Sequence, residues 1–174
     1  KRNGEFTVNI ALIEDGVPVS GVIYVPVKDE MYFGVKGKGA VKISEYSKHH
    51  EDYIDLEDLL LRGVKLPVNN GKTTFTMVGS RSHMSEETME YMELMKAQHG
   101  EVEIVSMGSS LKLCLVAEGV ADVYPRFAPT MEWDTGAGQA IAMNAGCTVT
   151  EKDGTTPLLY NKENLLNPWF IVKR

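Results

Sequence analysis

Residues 108–112 (GSSLK) have the composition of a helix beginning that can bind an anion. The first backbone N–H groups of a helix lack partners within it, and the helix dipole adds partial positive charge there. Lys112 lies in the first predicted turn and could add a full positive charge. The ordinary alternative is that Ser109 or Ser110 simply caps the helix. The segment therefore indicates either a phosphate-binding helix end or a cap.

Residues 133–138 (WDTGAG) place Asp134 where another helix is predicted to begin. An aspartate at this point is commonly an N-cap. Here the small residues that follow leave space for another group to approach the helix end, and Trp133 can pack the turn in place. A carboxylate held rigidly in this way could be one ligand of a hard cation such as Mg²⁺.

Two further candidates follow predicted strands, where loops commonly carry binding residues. Residues 80–83 (SRSH) offer hydrogen bonds and, through His83 and its neighbouring arginine, a stacking face. Arg126 comes directly after Tyr124 and Pro125. Each candidate has a structural alternative, which is a solvated loop for residues 80–83 and an ordinary surface position for Arg126.

The composition limits the partners that this chain can have. The 174 residues include 18 Lys+Arg and 24 Asp+Glu, which gives a formal net charge of −6. The hydrophobic fraction of 43% and the charged fraction of 24% are those of a globular protein rather than a disordered one. A nucleic-acid polymer would be repelled overall. A small phosphorylated ligand stays compatible because it needs only a few local cations.

The two cysteines indicate a protein from a reducing compartment. Cys114 and Cys147 lie far apart in apolar surroundings, so we predict reduced, buried thiols. No run approaches the roughly 18 apolar residues of a transmembrane segment, and no signal peptide is recognisable. The chain begins at Lys1 without methionine and enters a strand-like run at once, so we expect further residues before it.

The predicted secondary structure that must position these candidate residues changes near residue 73, from antiparallel strands to alternating strands and helices. Residues 1–73 are predicted to form an antiparallel subdomain, with Asp15-Gly16 as a hairpin turn and a polar connection over residues 44–73. Residues 74–174 alternate strand and helix and are predicted to form an α/β layer with the binding elements. The predicted strands are 6–13, 19–27, 31–33, 40–43, 75–79, 102–105, 121–124 and 148–150, and the predicted helices are 54–61, 85–100, 109–118 and 134–144.

Taken together, these segments resemble one family. Residues 133–138, with Ile141 and Ala145-Gly146 after them, look like the C-terminal signature of the inositol monophosphatase superfamily. Four segments resemble its CysQ-type 3′(2′),5′-bisphosphate nucleotidases more narrowly. They are residues 1–13 (KRNGEFTVNIALI), 80–83 (SRSH), 108–119 (GSSLKLCLVAEG) and 124–127 (YPRF). The similarity extends nearly to the last residue and includes residues 166–168 (LNP).

This resemblance implies a fold and an activity. The fold is α/β and layered, like inositol monophosphatase and fructose-bisphosphatase, with an antiparallel sheet layer followed by an α/β/α layer. The activity is Mg²⁺-dependent removal of the 3′-phosphate of adenosine 3′,5′-bisphosphate, giving AMP and phosphate, in sulfur assimilation. The implied enzyme is cytoplasmic, with peripheral attachment at the inner membrane left open, as is its oligomeric state.

The resemblance also implies roles for individual residues. Asp134 corresponds to the late metal-ligand aspartate of the family and is the catalytic candidate. The candidates for substrate binding are Ser109, Ser110, Lys112, Arg126, His83 and Thr135. Of these, Ser109, Lys112 and Arg126 match positions that hold the nucleoside and its second phosphate, and His83 matches a position near the base.

Most of the metal-ligand carboxylates of the family are missing from this sequence, which leaves alternative functions open. The family carries an acidic pair on an early helix and an Asp-Pro-x-Asp-Gly-Thr segment, which we expect just before Lys1. Of those metal-site carboxylates this sequence contains Asp134 alone, so we expect the chain to be a C-terminal part that is inactive by itself. The alternatives are an inositol or sugar phosphate phosphatase of the same superfamily and a non-catalytic nucleotide-binding fragment.

Overall fold

A computed structural model describes residues 4–69, 71–79 and 84–174, and within them the chain forms two five-stranded sheets with helices. The first sheet is antiparallel and has the strand order β1-β2-β3-β4-β5. Its strands are β1 (Val8–Glu14), β2 (Val17–Val25), β3 (Glu30–Val35), β4 (Gly39–Ser44) and β5 (Val64–Lys65). Between β4 and β5 lie α1 (Tyr46–His49), a 3₁₀ turn (His50–Asp52) and α2 (Leu56–Arg62).

The second sheet is mixed and has the order β7-β6-β8-β10-β9. Strand β6 is parallel to β7 and β8, whereas β10 is antiparallel to β8 and β9. The strands are β6 (Phe75–Val78), β7 (Val102–Val105), β8 (Val123–Arg126), β9 (Thr148–Glu151) and β10 (Phe170–Lys173). The helices are α3 (Glu86–His99), α4 (Leu111–Glu118) and α5 (Glu132–Asn144). The predicted layered α/β class is confirmed.

Several features of the structure were predicted from local signals in the sequence. Asp15 and Gly16 both have positive φ, 49° and 76°, as a tight turn between two twisted strands requires. The Ser85 hydroxyl accepts a hydrogen bond from the Thr88 amide at 3.3 Å and caps α3, and Gly100 ends that helix. Cys114 and Cys147 are buried and unpaired, as predicted.

Helix α5 lies directly on the first sheet, although it follows the second sheet's β8 in the chain. Gly21 of β2 and Gly34 of β3 are register partners, and both face the helix. A Cβ atom on Gly21 would lie 2.4 Å from the carbonyl oxygen of Ala137, and one on Gly34 would lie 2.8 Å from Cα of Ile141. The glycine pair therefore lets the helix backbone approach the strands closely.

The main hydrophobic core contains residues of both sheets. It joins Ile23 and Val25 of β2 to Phe170 and Val172 of β10, all of them fully or almost fully buried. The division of the chain at residue 73 stays a prediction. None of the helices in the described part of the chain has the length and apolar character needed to cross a membrane.

Strand β1 carries an apolar stripe on the face that points away from α5. Val8, Ile10 and Leu12 are 49%, 65% and 55% exposed, and Phe6 just before the strand is 59% exposed. Within the described residues β1 pairs with β2 and has no partner on its other edge. An exposed apolar face beside a free strand edge is a site of association between chains.

We therefore expect the 174-residue chain to self-associate when it is produced by itself. Ile10→Lys should reduce this association, because a charge on the exposed face opposes contact between apolar surfaces. Size-exclusion chromatography with light scattering, over a range of protein concentrations, measures the effect. Exposed Lys65→Glu on β5 serves as the control for a change of charge alone. A monodisperse wild-type chain that unfolds cooperatively would contradict the expectation.

Candidate functional site

Two adjoining cavities lie beside β8 and α4, the larger one extending to the beginning of α3 and the smaller one to the beginning of α5. The larger has a volume of about 420 Å³ and the smaller about 210 Å³. Lys112, Tyr124 and Arg126 line both of them. The two cavities therefore adjoin at these residues, and two cationic side chains lie at their boundary.

The smaller cavity brings the sequence-predicted residues together. All six that the structure describes line it, namely Ser109, Ser110, Lys112, Arg126, Asp134 and Thr135. His83 and the rest of residues 80–83 lie outside the described residues. The polar lining residues that the sequence did not single out are Asn9, Tyr124 and Thr130.

Helix α4 begins at Leu111, two residues later than predicted. The reason is the backbone of Ser109, whose φ of 53° lies in the left-handed region and cannot continue a right-handed helix. Ser110 occupies the N-cap position, but its hydroxyl accepts no hydrogen bond from the helix backbone. Neither serine is therefore a simple cap, because both hydroxyls bond instead to Thr7, the residue just before β1.

Lys112 is anchored at the junction of the cavities. Its Nζ donates to the carbonyl oxygen of Ser109 at 3.2 Å and lies 6.0 Å from the centre of the Tyr124 ring. Burial lowers the pKa of Lys112, and the nearby Arg126 guanidinium lowers it further, whereas Glu5 raises it. A bound anion would favour the charged form of this lysine.

Arg126 is the last residue of β8 and reaches the same junction. Its Nη2 donates to the carbonyl oxygen of Pro129 at 3.2 Å. Its Nε is buried and finds no hydrogen-bond partner in residues 4–69, 71–79 and 84–174. Leaving a buried donor unpaired costs about 1–3 kcal/mol, so this nitrogen gains from an acceptor supplied by a ligand.

Tyr124 contributes its ring and its phenol to the lining of both cavities. It is 6% exposed and packs edge-on against Phe170, with ring centroids 6.0 Å apart. Burial raises the pKa of Tyr124 to about 12, with Arg126 acting in the opposite direction. The phenol is therefore a neutral donor at physiological pH.

Asp134 is the third residue of α5 rather than its cap, since the helix begins at Glu132. One of its oxygens, Oδ2, accepts a hydrogen bond from the Met131 amide at 2.8 Å. This bond orients the exposed carboxylate, which lines the smaller cavity. Among the described residues no group of three or more His, Cys, Asp or Glu side chains is placed to hold a metal ion, so these residues do not form a metal site by themselves.

Tyr160 and Asn167, which follow α5 in the chain, form hydrogen bonds with the beginning of this helix. The Asn167 amide nitrogen Nδ2 donates to the hydroxyls of Thr130, at 3.2 Å, and Thr135, at 2.9 Å. Tyr160 Oη lies 2.9 Å from the Thr135 hydroxyl and 2.8 Å from Gln139 Oε1. These buried bonds turn the Thr135 side chain inward and fix the residue next to Asp134.

Glu132 adds a charged contact between the beginning of α5 and residues 161–162. Burial alone would raise the pKa of Glu132, but hydrogen bonds from the Lys162 side chain and the Asn161 and Lys162 amides hold it below its usual range. The Asn161 amide donates to Oε2 at 2.8 Å, and Lys162 Nζ donates to Oε1 at 2.5 Å. The ionised carboxylate therefore ties residues 161–162 to the beginning of α5.

The larger cavity is more apolar. Val78, Met84, Met107 and Phe127 contribute hydrophobic surface, and hydroxyl groups lie among them. The hydroxyls belong to Ser85, Thr88 and Ser106. Apolar walls with a few polar groups are typical of sites for small organic ligands.

The match of residues 1–169 to the Inositol monophosphatase family accounts for this layered fold, and the chain belongs to that family. It is 45% identical over 172 residues to the 3′(2′),5′-bisphosphate nucleotidase CysQ of Salmonella typhimurium and 44% identical over 173 residues to that of Escherichia coli. Each alignment covers 99% of this chain and 61% of the relative. The family resemblance seen in the sequence is confirmed.

A solved structure is also similar. The crystal structure of CysQ from Bacteroides thetaiotaomicron, a bacterial member of the inositol monophosphatase family, has a TM-score of 0.92 and 55% identity to this chain. That similarity covers 99% of this chain and 64% of the other. The chain thus spans about three fifths of the length of these relatives.

Proposed function

We propose that the protein removes the 3′-phosphate of adenosine 3′,5′-bisphosphate, giving AMP and phosphate. The observation that carries the proposal is the pair of adjoining cavities that share Lys112 and Arg126. A nucleoside bisphosphate needs an apolar pocket next to cations, and this site offers both. The names of the CysQ relatives agree with this substrate.

The two cavities accommodate different parts of this substrate. The adenosine occupies the larger cavity, against Phe127 and the methionines. Its 5′-phosphate binds Lys112 and Arg126, including the buried Nε that lacks a partner among the described residues. The 3′-phosphate then faces Asp134 in the smaller cavity, beside Ser109 at the beginning of α4.

We further propose that Mg²⁺ is the metal and that Asp134 supplies one of its ligands. Mg²⁺ would generate a nucleophilic hydroxide and neutralise charge on the reacting phosphate. The described residues do not hold such an ion alone, so the remaining ligands must come from outside them. The contribution of this chain is to bind the nucleotide and orient its charges. In the cell the reaction belongs to sulfur assimilation in the cytoplasm.

The test is a comparison of substrates. The protein as encoded, with any residues that precede Lys1, is assayed with Mg²⁺ on adenosine 3′,5′-bisphosphate and on inositol 1-phosphate. We expect kcat/KM to be higher for the bisphosphate because inositol 1-phosphate has neither a base nor a second phosphate. A preference for inositol phosphate would identify a different phosphatase of the family. Calorimetric binding of the bisphosphate without turnover would identify a non-catalytic nucleotide-binding protein.

A further inference from the structure

Strand β1 and the residue just before it contribute two polar side chains to the beginning of α4. The Thr7 hydroxyl oxygen lies 2.7 Å from that of Ser109 and 2.8 Å from that of Ser110. The Ser110 hydroxyl donates to Asn9 Oδ1 at 2.6 Å, and Asn9 Nδ2 donates to Thr7 Oγ1 at 3.1 Å. Four side chains from two segments about 100 positions apart thus form one hydrogen-bonded cluster.

The proton positions in this cluster follow from the fact that each hydroxyl carries one proton. The Ser110 proton points to Asn9 Oδ1, so Thr7 donates to Ser110 Oγ at 2.8 Å, a shorter bond than its alternative to Asn9 Oδ1 at 3.4 Å. The Thr7 proton is then used, so the bond between Thr7 and Ser109 must be donated by Ser109.

The cluster also holds a strained backbone. Ser109 has a φ of 53°, which a residue with a side chain adopts only when its surroundings impose it. The bond to Thr7 is one such constraint. Because Lys112 Nζ donates to the Ser109 carbonyl oxygen, the orientation of Ser109 also determines where the ammonium group lies. Thr7 is therefore linked through Ser109 to Lys112.

We infer that Thr7, supported by Asn9, is a positioning residue that holds Ser109 and Lys112 in the arrangement that binds the phosphates of the substrate. This inference rests on the proposed function and extends it to the β1 segment. Asn9 itself lines the smaller cavity, whereas Val8, Ile10 and Leu12 on the other face of β1 are exposed.

The experiment uses Thr7→Val, which keeps the shape and the strand preference of threonine but removes the hydroxyl. In the protein as encoded, we expect KM for adenosine 3′,5′-bisphosphate to rise on the order of tenfold, the value of one or two lost hydrogen bonds. The change in kcat should be less than about threefold, since the bonds position binding groups. Thr7→Ser restores the hydroxyl and should return KM to near the wild-type value.

Two further variants separate positioning from loss of stability. Asn9→Ala removes the acceptor of the Ser110 proton and should raise KM in the same direction. Thr148→Val is the matched control, because Thr148 is an exposed strand threonine whose hydroxyl donates to the Lys173 carbonyl and which lies outside both cavities. It should leave KM unchanged.

The outcomes distinguish the proposal about the substrate from the inference about Thr7. If the wild type hydrolyses inositol 1-phosphate and not the bisphosphate, the proposed substrate is wrong, and the same variants are then measured on inositol 1-phosphate. An unchanged KM in Thr7→Val and Asn9→Ala, on whichever phosphate ester the wild type binds, overturns the inference about Thr7. Failure of Thr7→Ser to restore KM overturns it as well.

Discussion

Replacing Lys112 or Arg126 by alanine is expected to raise KM for adenosine 3′,5′-bisphosphate between about tenfold and 100-fold. A hydrogen bond to a charged group contributes about 1.5–3 kcal/mol, and each 1.4 kcal/mol corresponds to a factor of ten. Both side chains lie at the boundary of the two cavities, where the 5′-phosphate is proposed to bind. KM for adenosine 3′-monophosphate, which lacks that phosphate, should change far less.

The comparison of the two substrates is what makes this prediction specific. A general loss of folding or of active-site order would affect both nucleotides equally, and equal effects would count against a second-phosphate site. Lys65→Ala and Arg62→Ala are matched controls, because both side chains are exposed and lie outside the two cavities. Neither control should alter KM for either substrate.

The elements that the sequence predicted correctly are those with a local cause. The hairpin at Asp15-Gly16 needs only two residues that accept positive φ. The beginning of α3 needs only the Ser85 hydroxyl within reach of the Thr88 amide. In each case the interacting groups lie within a few residues of one another, so the residue types are enough to predict the structure.

The elements that were missed depend on distant contacts. Strand β10 is inserted between β8 and β9, and its short apolar run does not show which strands it will pair with. Helix α5 begins two residues early because the Glu132 amide donates to the Leu165 carbonyl and the Glu132 carboxylate binds residues 161–162. Those partners follow Glu132 by about thirty positions.

The candidate site was predicted in a similar way, partly from local signals and partly from resemblance. The local pattern at residues 108–112 indicated an anion site, and the family resemblance linked it to Arg126 and Asp134. The structure places these residues around one cavity, while their individual roles stay predictions. Thr7 and Asn9 were missed because alternation along β1 distinguishes its two faces without showing what either face contacts.

The second large effect is expected at Gly21, because it determines how closely α5 approaches the sheet. In Gly21→Ala the new Cβ would lie 2.4 Å from the Ala137 carbonyl oxygen and 2.9 Å from the Ala137 Cα atom. Both are backbone atoms of a helix, which cannot move aside as the end of a flexible side chain can. The free energy of unfolding should fall by about 3 kcal/mol, the upper part of the usual range for overpacking.

A loss of that size should lower Tm by roughly 6–12 °C in a domain of this length, which thermal unfolding of the protein as encoded would measure. Gly79→Ala is the matched control, since the nearest atom to its Cβ among the described residues would be 3.5 Å away and its φ is not in the left-handed region. That variant should leave Tm unchanged or raise it slightly.

Because α5 also carries Asp134 and Thr135, displacement of the helix in Gly21→Ala should reduce activity at temperatures where the variant is still folded. A fully active Gly21→Ala protein with wild-type Tm would show that the close approach of α5 to β2 is not needed to position the site.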